Sequence, residues 1–375
     1  MAGIYIHIPF CKQACHYCDF HFSTSLKHKD ALINAIAQEL VLQKKLLTNT
    51  QIATIYFGGG TPSLLALKDI NFILDTISKN YALADNMEIT LEANPDDLTS
   101  KKLQELAASP INRLSVGVQS FDDEVLQYMN RSHTSEQALV VLKEAQEYGF
   151  DNITIDLIYG IPQMTNAQWL ANLNQVFTLN IPHISAYALT VEPKTALASF
   201  INSGKYKPLD ESLALAHFEI LTNETAKQGF VQYEISNFGK ENYFSKHNTS
   251  YWQGKKYLGV GPSAHSFMAD KRFWNIANNI KYIKSIANDI LPQEVECLSV
   301  KDRYNEYIMT QFRTVWGVDL AYINTQFGTR YKNYFLAQIA KFLIQQTVSE
   351  QNNIYTLTAK GKFLADGISS DLFWI

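Results

Sequence analysis

The chain has 375 residues, 46% of them apolar and 18% charged, with a formal net charge of -4 at pH 7. That balance supports a substantial packed core and excludes a disordered chain, and the slight acidic excess argues against nucleic acid as the main partner, because phosphate binding draws on surplus Lys and Arg. No apolar run reaches the ~18 residues needed to cross a bilayer, and the N-terminus lacks the cationic start and apolar stretch of a signal peptide, so a cytoplasmic protein without a membrane span is expected.

The length exceeds one average domain, and two domains are the natural expectation. The first β-rich run, Ile4 to Ile8, leads directly into Phe10-Cys11-Lys12-Gln13-Ala14-Cys15-His16-Tyr17-Cys18, and the only other cysteine is Cys297. Three clustered thiolates suit a four-iron four-sulfur cluster whose fourth iron has no protein ligand and is open to a small molecule. Zinc is the alternative. It would take a fourth ligand from His7, His16 or His21, although structural zinc sites more often draw on two separated ligand pairs. Cys297 reads as a small buried hydrophobe, and so few cysteines fit a reducing compartment.

Further β-rich runs follow at Ile52 to Phe57, Met87 to Ala93, Arg113 to Val118, Ile153 to Ile158 and Ile184 to Leu189, alternating with helical patterns such as Leu32, Ile33, Ile36, Leu40 and Leu139, Leu142, Ala145. Six βα units on a parallel sheet make a partial (β/α)6 TIM-like barrel, with its chemistry at the carboxyl ends of the strands. Polar residues recur there. The second run ends in Gly58-Gly59-Gly60-Thr61-Pro62, where absent side chains let backbone approach a ligand or simply form a tight turn. Glu92 closes the third run, Gln119 follows the fourth and Asp156 lies inside the fifth. A polar group in an apolar β run is costly unless it is paired or meets a ligand. Arg131 is a candidate partner for a carboxylate.

Beyond residue 200 the alternation stops. A long helix is expected over Asp210 to Gln228, then aromatic, loop-rich sequence from Tyr233 to Trp274, then helices over Lys301 to Phe312, Leu320 to Phe327 and Tyr331 to Gln345. Short β pieces at Thr347 to Glu350 and Ile354 to Leu357 complete a mostly helical, winged-helix-like C-terminal module. The expected divisions are a core barrel over 1–200, a connecting region over 201–290 and the C-terminal domain over 291–375. Winged helices often bind DNA, but too little basic charge is present here, and a packing or lid role is expected.

Several of these motifs together resemble one family. The Cys-x3-Cys-x2-Cys loop with Tyr17 before its last cysteine resembles the radical S-adenosylmethionine (radical SAM) superfamily. With Tyr5-x-His7-Ile8-Pro9-Phe10-Cys11, Gly58-Gly59-Gly60-Thr61-Pro62, Gly117-Val118-Gln119-Ser120-Phe121 and Asp156-Leu157-Ile158-Tyr159-Gly160, the chain looks like the oxygen-independent coproporphyrinogen III oxidase family within it. The resemblance implies that Cys11, Cys15 and Cys18 hold a 4Fe-4S cluster. It also implies a SAM site lined by Tyr5, Tyr17, Gly59, Gly60, Thr61, Glu92, Gln119, Arg131 and Asp156, with Ala188 and His265 nearby. Reduction of such a cluster can cleave SAM to a 5'-deoxyadenosyl radical that abstracts hydrogen from a substrate; the protein positions SAM and excludes competing reactions.

The chain departs from the oxidases at Phe20, where they resemble one another in carrying a further cysteine, and in starting without their leading segment. Both departures match the HemW branch of the family, the radical SAM heme chaperones. His247-Asn248-Thr249-Ser250-Tyr251-Trp252 has that branch's His-Asn-x-x-Tyr-Trp pattern, so the resemblance implies heme bound at or near His247. Leu258-Gly259-Val260-Gly261-Pro262-Ser263-Ala264-His265-Ser266 is expected to cap the SAM site. The implied function is a chaperone delivering heme to recipient hemoproteins of respiration, with oxidative decarboxylation of coproporphyrinogen III as the alternative. Peripheral membrane association and an oligomer are both compatible with the sequence.

Overall fold

The computed structural model describes residues 1–375. Six parallel strands lie side by side in chain order: β1 (Ala2–Ile8), β2 (Ile52–Gly59), β3 (Leu83–Ala93), β4 (Arg113–Gln119), β5 (Ile153–Tyr159) and β6 (His183–Ala188). Between them run α1 (Lys29–Gln43), α2 (Leu67–Asn80), α3 (Ser100–Ala107), α4 (Asp123–Tyr128), α5 (Ser135–Glu147) and α6 (Asn166–Thr178). This is the incomplete (β/α)6 barrel that the alternation predicts. The apolar periodicity does the positioning: Leu32, Ile33, Ile36 and Leu40 of α1, and Leu142 and Ala145 of α5, are buried in one core with Ile4, Ile6, Phe57, Leu91 and Val116 from the strands. Capping boxes start α5 and α6, where Thr134 with Gln137 and Thr165 with Gln168 satisfy otherwise orphaned backbone donors.

After α7 (Ala196–Asn202) and α8 (Glu211–Lys227), the stretch read as aromatic and loop-rich supplies short strands to both edges of the sheet. β7 (Val231–Glu234) and β8 (Asn237–Gly239) join antiparallel beyond β6. A short helix, α9 (Lys246–Trp252), then leads to β9 (Tyr257–Val260), which pairs parallel with β1 in the register Gly3 to Tyr257 through Ile6 to Val260. β10 (His265–Phe267), β11 (Lys271–Asn275), α10 (Asn279–Ile286) and β12 (Gln293–Cys297) follow, the strands antiparallel. β12 is the outer edge of the sheet, which leaves Cys297 exposed and not buried as expected.

The C-terminal region has its own core of fifteen buried residues, among them Tyr304, Ile308, Phe335, Ile339 and Tyr355. α11 (Val300–Phe312), β13 (Val318–Asp319), α12 (Leu320–Phe327), α13 (Thr329–Ile344), β14 (Val348–Gln351) and β15 (Ile354–Leu357) enclose it, with the strands in the order β13-β15-β14. That is the winged-helix-like arrangement. It is fastened to the barrel edge by the backbone bonds Ile235 N–H to Arg313 O and Val315 N–H to Tyr233 O, at 2.9 and 3.1 Å, and by Arg313 Nε donating to Glu234 Oε1 at 3.0 Å.

Candidate metal and cofactor site

β1 ends against the glycine turn of β2: Gly60 N–H donates to Ile8 O at 2.9 Å. The chain then swings out as a loop closed at its base by Cys11 N–H to Ser23 O and Ser23 N–H to Pro9 O, at 3.1 and 2.8 Å. Cys11, Cys15 and Cys18 are free, partly exposed thiols, and all three line one cavity of about 530 Å³ at the carboxyl ends of the strands. The histidines that a zinc site would need are engaged elsewhere. His7 Nε2 meets His21 O at 3.0 Å, His16 Nδ1 meets Tyr128 O at 2.8 Å, and His21 Nε2 meets Asn279 Oδ1 at 2.7 Å. No three His, Cys, Asp or Glu side chains converge closely enough to hold a single ion. Thiols spread around a cavity suit a polynuclear cluster, whose metals are themselves separated.

Two glycines shape the cavity wall. A Cβ on Gly60 would come within 2.6 Å of Phe10 O and 3.0 Å of Cys11 Sγ, so only glycine lets the cysteine loop sit this close. Gly59 has φ +111° with the His7 ring behind it, and its N–H donates to Glu92 Oε2 at 3.1 Å. The other Glu92 oxygen accepts from Tyr56 OH at 2.8 Å. Burial, reinforced by the nearby Asp156 charge, pushes the Glu92 carboxyl up to about 8. Burial also pushes Asp156 up to about 7, against the Ser185 and Ser115 hydroxyls that favour its ionised form. Neither acid faces a salt-bridge partner, so the pair offers two largely protonated carboxyls that a cationic ligand would ionise.

Arg131 supplies the opposite charge. It donates to Cys15 Sγ at 3.3 Å, to Asn94 Oδ1 at 2.7 Å and to Gly117 O at 2.8 Å, while its buried Nε makes no hydrogen bond. A guanidinium there would balance the negative charge of a metal-bound thiolate. Burial pushes the Cys18 thiol up to about 11, so binding metal there would release a proton. Three free thiols, a backbone wall with no side chains, two acids and an unsatisfied guanidinium nitrogen together fit a cluster bound beside a zwitterionic ligand.

Of the residues expected at this site, Tyr17, Gly59, Gly60, Thr61, Glu92, Gln119, Arg131, Asp156 and Ala188 line the cavity together with the cysteines. Tyr5, His247 and His265 do not. Tyr5 lies deeper in the barrel, stacked on Tyr56 at 6.1 Å with its hydroxyl 3.1 Å from His7 Nδ1. His265 is exposed on β10, stacked on Trp274 at 5.6 Å. The 258–266 segment therefore acts one layer back: Gly261 packs on the His7 carbonyl, and the His7 ring supports Gly59. It is held by Glu39, which accepts from Gly261 N–H and Asn275 and is pushed up to about 7 by burial. The sequence reading missed Asn94, Ser115 and Tyr187, which also line the cavity. Asn94 follows Glu92 by two residues at a strand end, a position that could have marked it. Ser115, which pairs in register with Glu92, becomes visible only once the strands are aligned.

His247 sits at the other end of the barrel interior. Its Nδ1 is 2.8 Å from Thr54 Oγ1, and its ring stacks on Tyr56 at 5.0 Å. Burial pushes it down to about 4, so it is a neutral imidazole. One ring links it to the glycine turn: His247 stacks on Tyr56, and a Cβ on Gly58 would come within 2.9 Å of that same Tyr56 ring.

Residues 5–176 match the family model described as the Radical SAM superfamily, and residues 298–364 match the HemN C-terminal domain. The chain is 31% identical over 371 residues to the Heme chaperone HemW of Bacillus subtilis (strain 168), covering 98% of both. It is likewise 31% identical over 374 residues to the Heme chaperone HemW of Lactococcus lactis subsp. lactis (strain IL1403), covering 97% of this chain and 98% of the other. The structure of the Escherichia coli coproporphyrinogen III oxidase (HemN), a radical SAM enzyme, superposes with a TM-score of 0.85 at 24% identity, over 99% of this chain and 90% of that one. At that identity the likeness is one of fold.

Proposed function

This chain belongs to the HemW family of radical SAM proteins, and from that premise we propose that it is a heme chaperone that binds heme and passes it to recipient hemoproteins of respiration. The observation that carries the reading is end-to-end similarity to proteins named heme chaperone, at 31% identity over 98% of both chains. The cysteine cavity supports it. In this reading Cys11, Cys15 and Cys18 hold a 4Fe-4S cluster, which when bound leaves one iron open to the amino acid end of SAM. Glu92 and the Gly59–Thr61 backbone receive the ammonium side, Arg131 holds Cys15 and balances negative charge, and Asp156 sits deeper with Ser115. Phe20 stands where the oxidases carry a further cysteine; it is 68% exposed at the mouth of the same cavity. An apolar ring there supplies no ligand, which favours the chaperone over decarboxylation of coproporphyrinogen III. We place the protein in the cytoplasm; no helix is long and apolar enough to cross a membrane.

The test is anaerobic reconstitution of the cluster followed by heme titration and, in parallel, an assay with coproporphyrinogen III, SAM and a reductant. Stoichiometric heme uptake without a decarboxylated product is expected. Product formation dependent on the three cysteines, without specific heme uptake, would return the chain to the oxidases.

A further inference from the structure

A second cavity, also of about 530 Å³, opens between the barrel edge and the C-terminal domain, and it shares no residue with the first. Its walls are aromatic. On the barrel side Tyr251 of α9 lies 5.5 Å from Tyr257, which stacks on Phe267 at 6.4 Å; on the other side Tyr307 of α11 stacks on Tyr322 of α12 at 4.5 Å. Two cations reach the cleft. Arg272 is already paired with Glu306 and, at 3.7 Å, with Glu296. Arg303 has no carboxylate within 4.0 Å, and its buried Nε has no hydrogen-bond partner.

A cleft with aromatic faces on two sides and one unspent guanidinium selects a flat, aromatic, carboxylate-bearing molecule. The faces exclude water from a ring system, and the guanidinium fixes its acidic edge. The first cavity, with its thiols and buried acids, has the opposite chemistry. We propose that heme is held in this cleft between the two domains, its ring against the tyrosine walls and a propionate on Arg303; the inference rests on the chaperone reading above. α9 gives the cleft a physical connection to the barrel, because the helix carries His247 in the barrel interior at its start and Tyr251 on the cleft wall one turn later.

The test is titration of the full-length, cluster-reconstituted protein with heme and with metal-free protoporphyrin, comparing wild type with Arg303→Glu, Arg303→Gln and Tyr322→Ala. Iron and sulfide content and the melting temperature serve as controls for folding. The expected result is a Kd for both porphyrins raised about tenfold or more by Arg303→Glu, and less by Arg303→Gln, with cluster content unchanged. Wild-type affinity in both Arg303→Gln and Tyr322→Ala would overturn the cleft while leaving the chaperone reading in place. Absence of heme uptake by the wild-type protein would overturn both.

Discussion

Glu92 and Asp156 are carboxyls whose pKa values in the folded chain, about 8 and about 7, stand above those of exposed acids. In the window between, the folded state keeps protons that the unfolded chain has released, so their contribution to stability is full at low pH and is lost as pH rises through the folded values. His247, partly buried and pushed down to about 4, acts in the opposite sense below neutrality, so the comparison of value is wild type against Glu92→Gln. In the cluster-free protein, the wild type's stability relative to that variant should fall by about 2–4 kcal/mol between pH about 5 and about 8, read by denaturant unfolding at each pH. A cationic ligand at Glu92 prefers the ionised acid, so affinity for SAM should rise over the same interval. Gly60→Ala tests the wall. Its Cβ would meet Phe10 backbone at 2.6 Å, and neither backbone nor thiol can move without shifting the cysteine loop. A destabilisation of about 1–3 kcal/mol and less iron per chain after reconstitution are expected, measured by thermal melting and iron assay.

α9 has seven residues and buries none of them fully, so it is not held by packing alone. It is held by β3: the buried Glu88 carboxylate accepts the backbone N–H groups of Lys246 and His247, both at 2.9 Å, which the first turn of a helix would otherwise leave unsatisfied. Glu88→Ala should cost about 1–3 kcal/mol and weaken heme binding as α9 loosens, with cluster content retained; melting and heme titration check the two parts. How much of the fold is legible in the sequence follows from element length. β1 to β6 are runs of six or more residues rich in Ile, Val and Tyr, and they declare themselves. β3 begins at Leu83, earlier than the apolar pattern, because Asp85 and Asn86 are exposed and interrupt the alternation. β7 to β12 have three to five residues each and carry no period, so only the tertiary context makes them strands. The site divides the same way. Cysteine spacing and the glycine run are local signals, whereas Ser115 and Tyr187 depend on register, and the depth of Tyr5 and His247 depends on how the open sheet curves.

Over the whole molecule, the two cores meet through aromatic and polar contacts that include two ion pairs, Arg272 with Glu306 and Arg313 with Glu234. Glu234 is 1% exposed and accepts from Arg313, Ser236 N–H and Asn237. Arg313→Ala removes the cation and leaves a buried carboxylate with only neutral partners, at a cost of about 3–5 kcal/mol. The expected outcome is a C-terminal domain that detaches before the barrel melts, seen as a split calorimetric transition and as early proteolytic cutting near residue 313. If the cleft between the domains carries heme, the same change should raise the heme dissociation rate. The pairing of β1 with β9 bears on a different matter, the timing of assembly. Gly3 finds its partner at Tyr257, so the strand that leads into the cysteine loop stays open on one edge until more than two thirds of the chain has left the ribosome. Contacts so distant along the chain form slowly. The thiols are made among the first residues, yet their final framework is among the last to close. On the cluster reading proposed above, iron and sulfide would then be delivered to a finished polypeptide, and a cell short of that supply would accumulate folded, metal-free protein instead of stalled nascent chains.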